Sequence, residues 1–205
     1  MRGLCKSFGV YAETEMRLFM GPIHAFKTRV FKPLMRLFDF LGFTADGLSI
    51  FGAIIALAGF VLSFLLDDAF YFFIGVWLHM LLDGFDGTLA RFQGNVQLKG
   101  SFVDVLADHF VIILASIFVY YFNGADFLGV LLYTVFYTFI QFAAFILNYT
   151  DQPYEVLFRP RLYLYLGFSV DLIFGTDSVN VFLYTMTLVM LIFVVQGVAK
   201  LKKVI

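Results

Sequence analysis

The stretch "LLDGFDGTLARFQGNVQLKGSFVDVLADHF", residues 81–110, places four aspartates and an arginine between two strongly apolar segments. This charge is unusual for the chain, because only 14% of its 205 residues are charged while 61% are hydrophobic and 20% are aromatic. A soluble domain of this length cannot bury so much apolar surface in one core. The composition therefore predicts a membrane protein that keeps charge in this stretch for a function.

Long apolar segments on both sides of the stretch predict membrane-spanning helices. A helix rises ~1.5 Å per residue, so roughly 18 or more apolar residues cross the hydrocarbon core. The apolar runs are continuous rather than alternating, which favours helices over strands. The predicted helices cover residues 47–66, 69–91, 101–122, 127–149, 161–174 and 179–199. The predicted fold is an all-α integral membrane protein with six transmembrane helices.

The positions of the basic residues predict the orientation, because Lys and Arg are enriched on the cytoplasmic side of membrane proteins. All 14 of them lie before the first helix, after the last helix, or in and directly beside the second and fourth connections. The other three connections carry only acidic charge. With an even number of helices, both termini and the turn at 91–100 are expected to face the cytoplasm. In a bacterium the expected location is the inner (cytoplasmic) membrane.

Residues 1–46 are predicted to form a cytoplasmic N-terminal segment that precedes a membrane domain at 47–205. Apolar residues recur there at spacings of three and four: Ile23, Phe26, Val30, Leu34, Leu37 and Leu41. Basic residues occupy the other faces, a pattern typical of a helix that lies in the headgroup plane. The pattern predicts an amphipathic juxtamembrane helix, with docking on the bundle and recruitment of anionic lipid as alternative roles.

The four aspartates fall on two predicted helices that are neighbours in sequence. Asp83 and Asp86 are three residues apart and share one face of the second helix. Asp104 and Asp108 are four residues apart and share one face of the third helix. Because the turn at 91–100 makes these two helices antiparallel neighbours, we expect the four carboxylates to converge at one depth in the membrane.

Four converging carboxylates require a cation, because like charges at close range and away from water are strongly unfavourable. Arg91 can neutralise one carboxylate, and hard divalent cations prefer oxygen ligands. No His or Cys accompanies the acidic cluster except His109, which points off the acidic face, so zinc is disfavoured. His24 and His79 have no carboxylate or cysteine partner at ligand spacing and are interpreted as local hydrogen-bonding residues. The sequence predicts Mg²⁺ or Mn²⁺, with room for two ions.

Charged and small residues follow the pattern Asp83-x-x-Asp86-Gly87-x-x-Ala90-Arg91, then eight residues, then Gly100-x-x-x-Asp104-x-x-x-Asp108. This pattern resembles the signature of the CDP-alcohol phosphotransferase (CDP-alcohol phosphatidyltransferase) family. Every fixed position of the signature is met. At the start of the first helix, Ala45 and Asp46 stand where the family usually has proline and asparagine.

The resemblance implies a lipid-synthesis reaction in which the hydroxyl of an acceptor alcohol attacks the β-phosphorus of a CDP-linked donor and CMP leaves. It implies that Asp83, Asp86 and Asp104 hold the metal ions. It also implies that Asp108 is a further metal ligand and the catalytic base. The residues expected at the CDP pocket are Gly87, Ala90, Arg91, Gly100 and Asp46.

The expected substrates are CDP-diacylglycerol and a small polar alcohol, because a site that opens at the inner leaflet lets acyl chains remain in lipid. CDP-choline or CDP-ethanolamine with diacylglycerol as acceptor is the alternative within the family. Arg159 and Arg161 begin the fifth predicted helix on the side of the site. They are interpreted either as ligands of an acceptor phosphate or as headgroup anchors.

Outside the family, a divalent-cation transporter is the alternative, since acidic residues within the membrane mark ion paths in general. Only Asp171 would continue such a path in the outer half of the membrane, and no inverted repeat is visible. Membrane lipid is an expected partner, nucleic acid is not, and a homodimer is compatible with the sequence.

Overall fold

The computed structural model describes residues 30–95, 102–150 and 159–202, and all regular structure in these ranges is helical. The helices are α1 (Lys32–Phe40), α2 (Ala45–Leu66), α3 (Phe70–Phe92), α4 (Phe102–Phe122), α5 (Phe127–Tyr149), α6 (Pro160–Phe174) and α7 (Val179–Leu201). The six predicted helices correspond to α2 to α7, with ends that differ by at most two residues. The all-helical fold class is therefore confirmed.

Four of these helices, α2, α4, α5 and α7, are long and apolar enough to cross a membrane. By contrast, α3 carries Asp83, Asp86 and Arg91. Helix α6 has 15 residues, or ~23 Å at 1.5 Å per residue, which is shorter than the ~30 Å hydrocarbon core. The structure thus supports an integral membrane protein with four candidate spans, and the six-span topology stays a prediction.

The predicted amphipathic helix lies only partly within the described residues. Its C-terminal part forms α1, which begins with Pro33 in its first turn. Proline is favoured there because its missing N–H would have no partner in the first turn of a helix. The part of the prediction before residue 30 lies outside the described residues.

The described residues divide into two compact units: a small unit at 30–45 and 84–95, and a large unit at 46–83, 102–150 and 159–202. In the small unit, the ring of Phe85 packs against those of Phe31 and Phe38, with ring centroids 4.9 and 6.4 Å apart. Gln93 Nε2 donates hydrogen bonds of 2.8 Å to Asp39 Oδ1 and 2.9 Å to the carbonyl of Phe43. These contacts hold α1 against the last turns of α3.

The core of the large unit contains interlocking aromatic side chains. Phe72 of α3 packs against Phe118 of α4 and Phe168 of α6, with ring centroids 4.5 and 6.1 Å apart. The α4–α5, α4–α6, α5–α7 and α6–α7 pairs complete the bundle. Because lipid tails are as apolar as these side chains, close packing rather than water exclusion holds such helices together.

Helices α2 and α3 approach each other at two glycines. A Cβ on Gly59 would lie 2.6 Å from the carbonyl oxygen of Tyr71, and one on Gly75 would lie 3.2 Å from that of Ile55. These contacts are with backbone, which cannot move aside as a side chain can. The absence of side chains at both positions therefore sets the distance between α2 and α3.

Asp171, to which the sequence assigned no function, caps the N-terminus of α7. Its carboxylate accepts hydrogen bonds from Thr176 Oγ1 (2.9 Å), Ser178 N (2.7 Å), Ser178 Oγ (2.6 Å) and Val179 N (2.9 Å). The side chain is buried. These bonds satisfy N–H groups that have no partner inside the helix, so Asp171 fixes the turn between α6 and α7.

Candidate active site

Three carboxylates of the opening stretch converge in the large unit. Asp83 of α3 and Asp104 and Asp108 of α4 each offer an oxygen, and these three oxygens lie within 4.8 Å of one another. Asp104 and Asp108 are one turn apart on α4, so they present their carboxylates on the same face. Asp108 is only 6% exposed. We call these three residues the carboxylate triad.

The donors of the carboxylate triad fit the divalent ion that the sequence predicts. Hard cations such as Mg²⁺ and Mn²⁺ take carboxylate oxygens, whereas zinc and softer metals favour sulfur or imidazole ligands. Three acids this close together, two of them nearly buried, also need positive charge nearby to offset their repulsion. The triad can therefore hold a divalent metal ion.

Arg161 bridges two members of the carboxylate triad. Its Nη2 lies 2.5 Å from Asp83 Oδ2, and its Nη1 pairs with Asp108 Oδ1. Pro160 in the first turn starts α6 at this point, which places Arg161 at the beginning of the helix. Arg161 is 8% exposed, unlike a headgroup anchor, whereas Arg159 is exposed.

His79 is a site residue that the sequence analysis missed. Its Nε2 lies 3.3 Å from Asp108 Oδ1, and the side chain is 1% exposed. The expectation that His79 lacks a carboxylate partner was therefore wrong. The signal was present in the sequence, because His79 precedes Asp83 by four residues on one helix and so shares its face.

Helix α2 contributes to the same region from its N-terminal half. The hydroxyl of Ser49, which is buried, donates to Asp104 Oδ1 over 3.3 Å. A Cβ on Gly52, one turn later, would lie 3.0 Å from Nδ1 of His79. Asp46 lies in the first turn of α2, where the helix dipole favours a negative charge.

The other described signature residues lie in the last turns of α3, within the small unit. Asp86 follows Asp83 by one turn, and its Oδ1 accepts a hydrogen bond from the backbone N–H of Gly87. The exposed Arg91 donates from Nη2 to Thr88 Oγ1 over 3.2 Å. Ala90 is half-buried, and Gly100 lies outside the described residues. The structure thus groups three of the four predicted metal ligands, without Asp86.

A family model described as CDP-alcohol phosphatidyltransferase matches residues 43–195. The chain belongs to the CDP-alcohol phosphatidyltransferase family, as its signature predicted. It is therefore a transferase of phospholipid synthesis, which passes a phosphatidyl group to an alcohol. The matched range contains all three residues of the carboxylate triad together with Arg161 and His79.

Similar solved structures include two of phosphatidylinositol phosphate synthase (PgsA1) from Mycobacterium tuberculosis. The complex with manganese and citrate is 19% identical, with a TM-score of 0.67 over 82% of this chain and 86% of that one. The complex with CDP-DAG is also 19% identical, with a TM-score of 0.68 over 83% and 92% of the two chains. At this identity the likeness shows a shared fold. No protein of curated function matches the sequence significantly.

Proposed function

We propose that this enzyme transfers the phosphatidyl group of CDP-diacylglycerol to the hydroxyl of a small polar alcohol and releases CMP. The observation that carries the proposal is the carboxylate triad, whose members all belong to the signature read in residues 83–108. A structural neighbour that binds CDP-DAG supports this donor, and its manganese complex supports a divalent ion.

The proposed ligands of two Mg²⁺ or Mn²⁺ ions are Asp83, Asp86, Asp104 and Asp108. When bound, such ions neutralise the charge on a pyrophosphate and on its leaving oxygen. Asp86 is included because it belongs to the signature. Asp83, Asp104 and Asp108 belong both to the signature and to the carboxylate triad. The proposed CDP-binding residues are Gly87, Ala90, Arg91, Gly100 and Asp46.

Asp108 is the proposed general base. The acceptor oxygen attacks the β-phosphorus, its proton passes to the Asp108 carboxylate, and the bond to the CMP oxygen breaks. Asp108 suits this role because it lies in the interior of the large unit, with His79 Nε2 3.3 Å from its Oδ1. A base held in position contributes ~10²–10⁴-fold to such a step.

The acceptor alcohol is proposed only as a class. Glycerol 3-phosphate, inositol, inositol phosphate and serine all fit a polar alcohol, and the activity of the structural neighbour makes inositol phosphate the first to test. Of the two arginines considered for an acceptor phosphate, Arg161 reaches the carboxylate triad, whereas Arg159 is exposed. Arg161 is therefore the one we retain.

The proposed topology has six spanning helices, with both termini and the active site on the cytoplasmic side. The distribution of basic residues supports this orientation. A cytoplasmic site lets the nucleotide remain in water while the acyl chains of the donor stay in the inner leaflet.

The test is a CMP-release assay with purified enzyme in lipid, CDP-diacylglycerol, the four alcohols in turn, and Mg²⁺ or Mn²⁺. We expect CMP with a matching alcohol and a divalent ion, and none after chelation or with an Asp104→Asn control. CMP release from CDP-choline and diacylglycerol, without release from CDP-diacylglycerol, would instead establish the alternative donor class. Divalent-ion flux into vesicles without CMP release would establish a transporter.

A further inference from the structure

Arg161 contacts the same carboxylates that would hold the metal ion. Asp83 and Asp108 belong to the carboxylate triad, and each also pairs with one terminal nitrogen of the guanidinium. The side chains of all three residues are 9% exposed. The arginine and a divalent ion therefore depend on the same buried negative charge.

The geometry makes Arg161 a substitute for a metal ion. Its flat guanidinium directs one nitrogen to each carboxylate, which a lysine ammonium, as a single point charge, does less well. Two nearly buried carboxylates without a cation would be strongly unfavourable. A divalent ion among the same oxygens would supply the missing charge and would repel the guanidinium at close range.

We propose that Arg161 is an exchangeable counter-cation, which holds Asp83 and Asp108 together before metal binding and releases at least one of them when a divalent ion binds. The proposal rests on the proposed metal-dependent function. It means that Arg161 lowers the affinity of the site for metal. The released guanidinium remains in the first turn of α6, with donors available for an anionic group of a substrate.

The test is Mn²⁺ binding to purified enzyme, measured by the electron paramagnetic resonance signal of free Mn²⁺ without any substrate. We expect Arg161→Gln to bind Mn²⁺ at least about tenfold more tightly than wild type, since one charge-assisted pair no longer competes. Arg161→Lys is expected to lie between the two. Arg159→Gln, an exposed control two residues away, is expected to match wild type.

A second measurement follows the thermal unfolding of the same proteins. In Arg161→Gln the metal-free carboxylates lose their counter-charge, so added Mn²⁺ is expected to raise the Tm more than it does in wild type. If Arg161→Gln cannot be purified, the same comparison is made with Arg161→Lys. That variant keeps the positive charge but lacks the guanidinium that pairs one nitrogen with each carboxylate.

The outcomes separate this proposal from the proposed function. The counter-cation role is overturned, and the metal site left intact, if Arg161→Gln binds Mn²⁺ no more tightly than wild type does. If Arg161→Gln is not recovered, wild-type Mn²⁺ affinity in Arg161→Lys has the same meaning. Wild-type protein that binds no more Mn²⁺ than Asp104→Asn overturns the metal site itself, and with it both proposals.

Discussion

His79 Nε2 lies 3.3 Å from Asp108 Oδ1, in a part of the bundle where the imidazole is almost fully buried. The contact joins α3 to α4 and places the imidazole beside the carboxylate that we propose as the general base. Residues that orient a metal-binding side chain typically affect metal affinity or activity by 10–100-fold. We therefore infer that His79 is a positioning residue of the active site.

Replacing His79 with Ala is expected to lower kcat by about 10–100-fold, while the KM for CDP-diacylglycerol changes little. His79→Gln, which keeps a donor group on a flexible side chain, is expected to recover part of the rate. The measurement is steady-state CMP release. His109→Gln is the control, because its ring lies near Thr138 and Tyr137. A His79→Ala enzyme with normal kcat would remove the residue from the site.

Gly52→Ala offers an independent test of the same contact. The added Cβ would lie 3.0 Å from His79 Nδ1, so the imidazole must shift by a few tenths of an ångström. We expect a lower kcat without a large loss of Tm. In a Gly52→Ala, His79→Ala double variant the two effects should not add, because both act through one side chain. Fully additive effects would show that Gly52 acts elsewhere.

The helices were predictable from the sequence because each of α2 to α7 is a largely apolar segment that ends at turn residues. The clustering of Asp83 with Asp104 and Asp108 was also predictable, since helical spacing and a short turn suffice for it. The burial of Arg161 was not, because the rotation of α6 about its axis depends on packing across the bundle. For the same reason, Arg159 and Arg161 looked equivalent in the sequence.

Asp83→Asn, Asp86→Asn and Asp104→Asn each keep the size of the side chain and remove a charge from the proposed metal ligands. Turnover is expected to fall by at least ~10²-fold in each, since the metal supplies several kcal/mol of charge stabilisation. CMP release over a range of Mn²⁺ concentrations is the measurement. Near-normal turnover in Asp86→Asn would exclude Asp86 as a metal ligand. The structure does not place this residue in the carboxylate triad.

Asp108→Asn separates the role of a base from that of a ligand. If the main role of Asp108 is to take the proton from the hydroxyl of the acceptor alcohol, kcat should fall by at least ~10²-fold while CDP-diacylglycerol still binds. Donor affinity can be followed by protection against thermal unfolding. Loss of donor binding in parallel with loss of turnover would show that Asp108 acts chiefly as a metal ligand.

Asp171→Ala is expected to destabilise the protein by about 1–2 kcal/mol, because it removes the cap of α7. The Tm in detergent should fall, whereas kcat per folded molecule should stay near the wild-type value, since Asp171 is not part of the carboxylate triad. Asp177→Ala, an exposed residue of the same turn, is the matched control. Equal Tm values for the two variants would show that the cap contributes nothing.

With α3 spanning the bilayer as proposed, we expect the close approach of α2 and α3 at Gly59 and Gly75 to couple the site to the thickness of the bilayer. Asp83 lies eight residues beyond Gly75, or ~12 Å along a rigid helix. A change in helix tilt of about 5° at this fixed crossing moves Asp83 by about 1 Å, and a displacement of that size can cost ~10²-fold in rate. Spanning helices tilt to match the hydrocarbon thickness around them. We therefore expect the position of Asp83, and with it the rate, to depend on the length of the surrounding acyl chains, in an enzyme that itself makes membrane lipid.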